Sequence, residues 1–178
     1  MTAKRMAVKT LRSIPRGQSY VEPPPLRYGY VASPAGPVSF CTDGARVRTL
    51  LLGKRLRDPG RHSALDREVA RQLEQYFAGR REAFDLPVAF DLPRFTSRVL
   101  RAVGRIPLGG ARSYGEIARA VGQPRAARAV GQAVGANPLP LLIPCHRVLA
   151  ARGGLGGFGG GLRWKRYLLE LEGIRWRE

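Results

Sequence analysis

Cysteine and histidine are scarce in this chain, two of each among 178 residues. So few thiols cannot build a disulfide framework, and a reducing compartment, the cytoplasm, is expected. A zinc centre made from Cys41, His62, Cys145 and His146 would need ligand spacings that match none of the familiar patterns. Long apolar runs are also missing. No stretch approaches 18 residues, so no membrane helix is expected, and Met1 to Arg16 is basic without the apolar centre of a signal peptide. Acidic residues are few, 13 against 31 lysines and arginines, for a net charge of +18. From Arg94 onwards the counts are 15 basic and 4 acidic; before it they are 16 and 9. An excess of this size points to a polyanionic partner and says nothing about fold.

What is present divides the chain in three. Residues 1–25, with Pro23-Pro-Pro25 at their end, read as a disordered basic tail. Residues 26–91 read as a small α/β scaffold domain. Strands are expected over Leu26–Ala32, Val38–Thr42 and Val47–Leu52, with Asp43-Gly44 as a hairpin turn. Cys41 falls among them as a packing residue. An amphipathic helix over His62–Phe77 follows, capped by Ser63 with Asp66 and closed by Gly79. Its apolar stripe is Leu65, Val69, Leu73, Tyr76 and Phe77, and a polar stretch from Arg81 to Asp91 leads out of it.

Residues 92–178 read as helical. Phe95, Val99, Leu100 and Val103 make one face of a helix ending at Gly104. Ser113-Tyr-Gly-Glu116 is a capping box that starts another at Tyr114, which runs to Val121 and stops at Gly122. Pro124 is expected at the first position of the next helix. Its inward face is Ala126, Ala127, Val130, Ala133 and Val134. Its outward face is Arg125, Arg128, Gln132 and Gly135. Two short helices around a glycine turn make a helix-turn-helix. The fold class is therefore α+β, a small antiparallel sheet with one helix followed by a helical half. The last helix is expected from Leu162 to Glu172, with Leu162, Leu168, Leu169 and Leu171 inward. Glu172 there opposes the helix dipole, a broken local rule of the kind found at functional sites.

The chemistry is placed at Asn137-Pro-Leu-Pro-Leu-Leu-Ile-Pro-Cys-His-Arg-Val148. A thiol reacts as its thiolate, and neighbouring cationic or basic groups lower its pKa. His146 and Arg147 supply that setting, on a backbone stiffened by Pro138, Pro140 and Pro144. A lone cysteine is otherwise a small buried hydrophobe. Gly153 to Gly161 carries seven glycines in nine residues, by composition a flexible linker. Placed after the nucleophile, it reads as a bare backbone wall against a flat ligand.

The motif resembles the active site of the methylated-DNA–protein-cysteine methyltransferases, the alkylguanine-DNA alkyltransferases. Ser113-Tyr-Gly-Glu-Ile-Ala118, Arg125-Ala-Ala-Arg-Ala-Val-Gly131, the glycine run and Lys165…Glu172-Gly173 follow in the family's order. Similarity is strong from Phe95 to Gly173, weaker from Arg27 to Asp91 and absent before Pro23. The resemblance implies single-turnover transfer of an alkyl group from the 6-oxygen of guanine in double-stranded DNA to Cys145, with the 4-oxygen of thymine left open as a second donor. Glu172 would orient His146, His146 would take the thiol proton, Asn137 would brace the turn and Tyr114 would protonate the leaving base.

The second helix of the helix-turn-helix would enter the minor groove, Arg128 filling the gap left by an extruded nucleotide. Tyr114, Arg125, Ser113, Gln132 and Ala127 would complete the DNA contacts. Val134, Pro140, Val148, Gly156, Phe158, Gly159 and Gly160 would line the base pocket. Phe158 stands where tyrosine is common, and Gly159 where some members have serine. No metal, cofactor or membrane is implied. A monomer is expected, with cooperative assembly on DNA as an open alternative. The rival readings are a binding protein for alkylated DNA that does no chemistry, a helix-turn-helix regulator and, more remotely, a cysteine protease.

Overall fold

A computed structural model of the chain describes residues 25–56 and 63–177. The basic tail and His62 lie outside them. Strands β1 (Arg27–Val31), β2 (Val38–Thr42) and β3 (Val47–Leu52) form an antiparallel sheet in the order β1-β2-β3. Val31, Val38, Phe40, Val47, Leu50 and Leu52 enter the core, and the central strand β2 is buried along its whole length. The β2–β3 connection is a four-residue turn, wider than Asp43-Gly44 alone suggests. Asp43 Oδ1 accepts from the N–H groups of Ala45 and Arg46 at 2.9 and 2.7 Å, an Asx-type closure that sets the longer loop.

Helix α1 (Ala64–Phe77) packs on this sheet. Ser63 caps it as expected, with a reciprocal hydrogen bond from Asp66. Thr42 donates to the same carboxylate at 2.5 Å, so the cap is also tied to β2. The stretch after α1 is more than a polar linker. Val88 bridges β3 at Val47, Val47 N–H donates to the Pro87 carbonyl at 2.8 Å, and Ala89 N–H donates back to Val47 at 3.1 Å. Phe84, Leu86 and Phe90 pack on the core beside it.

Helices α2 (Arg94–Val103), α3 (Tyr114–Ala120), α4 (Ala127–Gly135) and α5 (Leu162–Leu171) make the second half. Arg98 donates to the Val121 carbonyl and fastens α2 to the turn between α3 and α4. Gly122 (φ +72°) makes the reversal after α3, a conformation that costs a side-chain-bearing residue about 1–2 kcal/mol. Helix α4 begins at Ala127, not at Pro124. Ala126 N–H bonds the Gln123 carbonyl at 2.9 Å, so 123–126 close as a separate tight turn and Arg125 precedes the helix.

In α5 the buried positions are Trp164, Lys165, Leu168 and Leu169. This phase turns Leu162, two residues before Trp164, to solvent at 42% exposure, against the expectation that it packs inward. The helical half also contains a short parallel pair, β4 (Arg112–Ser113) with β5 (Val148–Leu149). One core runs unbroken from Val31 through the helices to Leu168. No described helix is long and apolar enough to cross a membrane.

Candidate active site

Three backbone devices carry the motif. Leu50 N–H and the Thr49 hydroxyl, both on β3, donate to the Pro138 carbonyl at 2.8 and 3.2 Å. Asn137 then ties the turn from within: its Nδ2 donates to the Ile143 carbonyl at 2.9 Å and its Oδ1 accepts from Leu139 N–H at 3.0 Å. Leu141, buried, takes a left-handed φ of +77° between these anchors, a strained conformation of the kind that clusters at active sites. Cys145–Arg147 follow as one turn of 3₁₀-helix leading into β5. Because β5 pairs with β4, the segment leaving Cys145 and the start of α3 share one small ladder.

A 3₁₀ turn rotates successive side chains by a third of a circle, and the three residues point three ways. Cys145 faces a cavity of about 1050 Å³. His146, wholly buried, meets Glu172 Oε1 through Nε2 at 3.0 Å. Arg147 reaches the same carboxylate through Nε to Oε2 at 2.7 Å and Nη2 to Oε1 at 2.8 Å, with Nη1 donating to the Ile106 carbonyl at 2.5 Å. Arg147 thus serves Glu172 and not the thiol, contrary to the reading from adjacency. Tyr76 of α1 adds a fourth donor, its hydroxyl to Oε1 at 2.7 Å.

Burial alone would raise the Glu172 carboxyl, but the hydrogen bonds from His146, Arg147 and Tyr76 outweigh it and hold its pKa at about 2. The carboxylate is then only an acceptor, so His146 Nε2 carries the ring proton and Nδ1 has a free lone pair. Among the described residues, His146 Nδ1 is a buried polar atom with no protein partner. Burial also lowers the histidine's pKa despite Glu172. The ring is neutral at rest and able to accept a proton.

Burial likewise raises the Cys145 thiol, against the opposing pull of Asn137, the backbone amides and Lys165. The resting group is therefore a thiol, and the expectation of a thiolate made by cationic neighbours is corrected: desolvation exceeds their pull. Lys165 lies behind the cavity wall, wholly buried, its Nζ donating to the carbonyls of Val148, Leu155 and Gly157 at 2.7, 2.5 and 3.4 Å. Burial brings its pKa down to about 8. It lashes the glycine-rich segment to β5, the strand that follows Cys145.

The cavity collects residues from β3, the helix-turn-helix, the motif and the glycine-rich segment. Tyr114 and Ser113 start α3; Ala127, Arg128 and Val134 come from α4; Asn137 and Pro140 belong to the motif; Phe158, Gly159 and Gly160 form the far wall. Leu50, Leu51, Leu52 and Lys54 of the β3 segment close one side. Tyr114 stands between two glycines. A Cβ on Gly131 would lie 3.9 Å from its ring, and one on Gly156 3.3 Å from its ring and hydroxyl. Gly156 (φ +64°) therefore backs Tyr114 and does not line the cavity. Val148, expected there too, is fully buried in β5.

Arg125, Arg128 and Gln132 are exposed on the outer side of the helix-turn-helix, and of these Arg128 also borders the cavity. Ser113 Oγ caps α3 by accepting Glu116 N–H at 3.2 Å. Cys41, buried on β2, lies outside the site, and no group of three or more metal-ligating side chains occurs among the described residues. Residue patterns miss Tyr76, give Arg147 the wrong partner, and assign Lys165 no contact of its own. Tyr76 in particular reads as one more member of an apolar stripe.

Comparison with known proteins gives the same family twice. Residues 94–174 match the model of the 6-O-methylguanine DNA methyltransferase DNA binding domain, and residues 26–90 match that of the 6-O-methylguanine DNA methyltransferase ribonuclease-like domain. A methylated-DNA–protein-cysteine methyltransferase of Methanosarcina acetivorans is 41% identical over 154 residues, 83% of this chain and 99% of the relative. One of Mycobacterium bovis is 42% identical over 155 residues, 84% of this chain and 94% of the relative. The crystal structure of Mycobacterium tuberculosis O6-methylguanine methyltransferase superposes with a TM-score of 0.74 at 40% identity, over 83% of this chain and 93% of that one. Mycobacterium tuberculosis OGT in complex with DNA gives 0.74 at 42% identity, over 82% and 91%. With both parts of the chain matched by models of one family and relatives 41–42% identical over more than four-fifths of its length, this chain belongs to the 6-O-methylguanine DNA methyltransferase family.

Proposed function

We propose that the protein repairs DNA by moving an alkyl group from the 6-oxygen of guanine to Cys145, once per molecule. The observation that carries this reading is Cys145 in the wall of a cavity large enough for a nucleobase, next in sequence to a buried imidazole whose Nδ1 has no protein partner. His146 takes the thiol proton through one water molecule, and Glu172 stabilises the imidazolium that forms. The sulfur attacks the alkyl carbon in line. A carbon–sulfur bond forms as the carbon–oxygen bond breaks, and Tyr114 supplies a proton to the departing guanine at N3. Burial first, and then the charge on Cys145, raises the Tyr114 phenol, which keeps it protonated and able to donate. The thioether has no side chain nearby that could reverse it, so the reaction stops after one turnover.

A base within a duplex is out of reach of a thiol in a cavity. The nucleotide must leave the stack, at a cost of roughly a few kcal/mol. On this reading Arg128, exposed at the cavity edge, fills the gap from the minor groove, which offsets part of that cost. Pairing of the relative with DNA and the net charge of +18 both support a duplex partner. The test is a duplex with a labelled O6-methylguanine. Label should appear on the Cys145 peptide in a one-to-one ratio, and Cys145→Ser should take up none. Label on another peptide, or multiple turnovers, would sink the reading.

A further inference from the structure

The carboxylate that serves His146 is shared with the N-terminal half of the chain. Tyr76, in the last turn of α1 and 3% exposed, donates its hydroxyl to Glu172 Oε1 across 96 positions of sequence. That oxygen also receives His146 Nε2 at 3.0 Å and Arg147 Nη2 at 2.8 Å, whereas Oε2 receives Arg147 Nε alone. The tyrosine and the histidine therefore draw on one atom. The ring of Tyr76 meets Phe77 edge-on and Phe84 at a tilt, each with centroids 5.3 Å apart, so its hydroxyl has little freedom to turn elsewhere.

We propose that Tyr76 is a positioning residue of the alkyl transfer, which sets how much of the Glu172 charge reaches His146 and so how firmly the imidazole holds the proton it takes from Cys145. The proposal rests on the function inferred above. A hydrogen bond to a carboxylate oxygen withdraws electron density from it, and the next donor on the same oxygen is held less tightly. Tyr76 must stay protonated to act this way; burial, and then the adjacent Glu172 charge, push its phenol far above the usual tyrosine range. The remaining charged and titratable neighbours are Arg147 and Lys165 around His146, and Arg147 and Tyr167 around Tyr76. Of these only Lys165, at about 8, titrates near neutrality, so the informative range lies below it.

A core tyrosine with no such role would satisfy its hydroxyl equally well on any acceptor, and its loss would change stability without moving a pH profile. The experiment is the single-turnover rate of label transfer from O6-methylguanine duplex, measured against pH for the parental protein and Tyr76→Phe. Freed of the tyrosine, Glu172 should hold the imidazolium more tightly and shift the acidic limb upward by about half a pH unit. A protein with 3-fluorotyrosine placed at position 76 keeps the ring and donates more strongly, so its limb should move down. With two histidines in the chain, the His146 titration can also be followed by NMR of histidine-labelled protein, and the same shifts should appear there. Limbs that superimpose on the parental one, whatever the change in rate, would overturn the proposal. If Tyr76→Phe fails to fold, the fluorotyrosine protein decides the matter alone. A parental protein that transfers no label would fail the functional reading instead, before any variant is compared.

Discussion

Glu172 is the residue on which the site turns. It sits at the C-terminal end of α5, where the dipole disfavours a negative charge, and four hydrogen bonds compensate it. Arg147 supplies two of them from a side chain that is 8% exposed. Removing one partner of a buried pair leaves the other charge uncompensated, which typically costs about 3–5 kcal/mol. Arg147→Met should therefore lower unfolding stability by that order in denaturant titration, far more than a surface arginine would. The glutamate's exceptional placement was legible from sequence as a broken rule at the end of a helix. Arg147's partner was not, because adjacency to Cys145 suggests a cation for the thiol and only the 3₁₀ turn sends it elsewhere.

Among the elements, the helix-turn-helix was the most readable part of the chain, since Ser113 with Glu116 and Gly122 each carry a local signal. Its second helix was misplaced by three residues. Pro124 suits a first helical position, but the closed turn over 123–126 takes its place. The glycine-rich segment was half legible. Its composition suggested bare backbone facing a ligand, yet Gly156 gives its room to Tyr114, a contact between residues 42 positions apart that no local pattern encodes. The extrusion step assigned to α4 has its own test. Arg128→Ala should leave the melting temperature unchanged and slow repair of duplex by about ten-fold or more. The same variant should react with free O6-alkylguanine base as the parental protein does, because a free base needs no extrusion. Equal slowing on both substrates would count against the role.

For the whole molecule, the sheet and the helical half share one core and one charge network, and their stability should share one pH dependence. Glu172 is held at about 2 in the folded chain against an ordinary 4.5. A carboxyl lowered by folding adds stability that is fully present above its unfolded pKa and is lost as pH falls toward the folded value. Thermal melts should thus weaken between about pH 4.5 and 2, and Glu172→Gln should flatten part of that slope. The sequence places a division after residue 91, where a polar stretch gives way to the helical half. That Tyr76 joins the parts is not legible there, because a hydroxyl at the edge of an apolar stripe looks like packing.

The outer edge of β3 is occupied, by residues 87–89 at one end and by Pro138 near the other. A strand margin is the usual place for a foreign peptide to add itself. Here that margin grips the loop leading to Cys145, so an intruding strand would have to displace that loop before it could dock. Protection from aggregation and readiness for repair are, at this margin, the same hydrogen bonds.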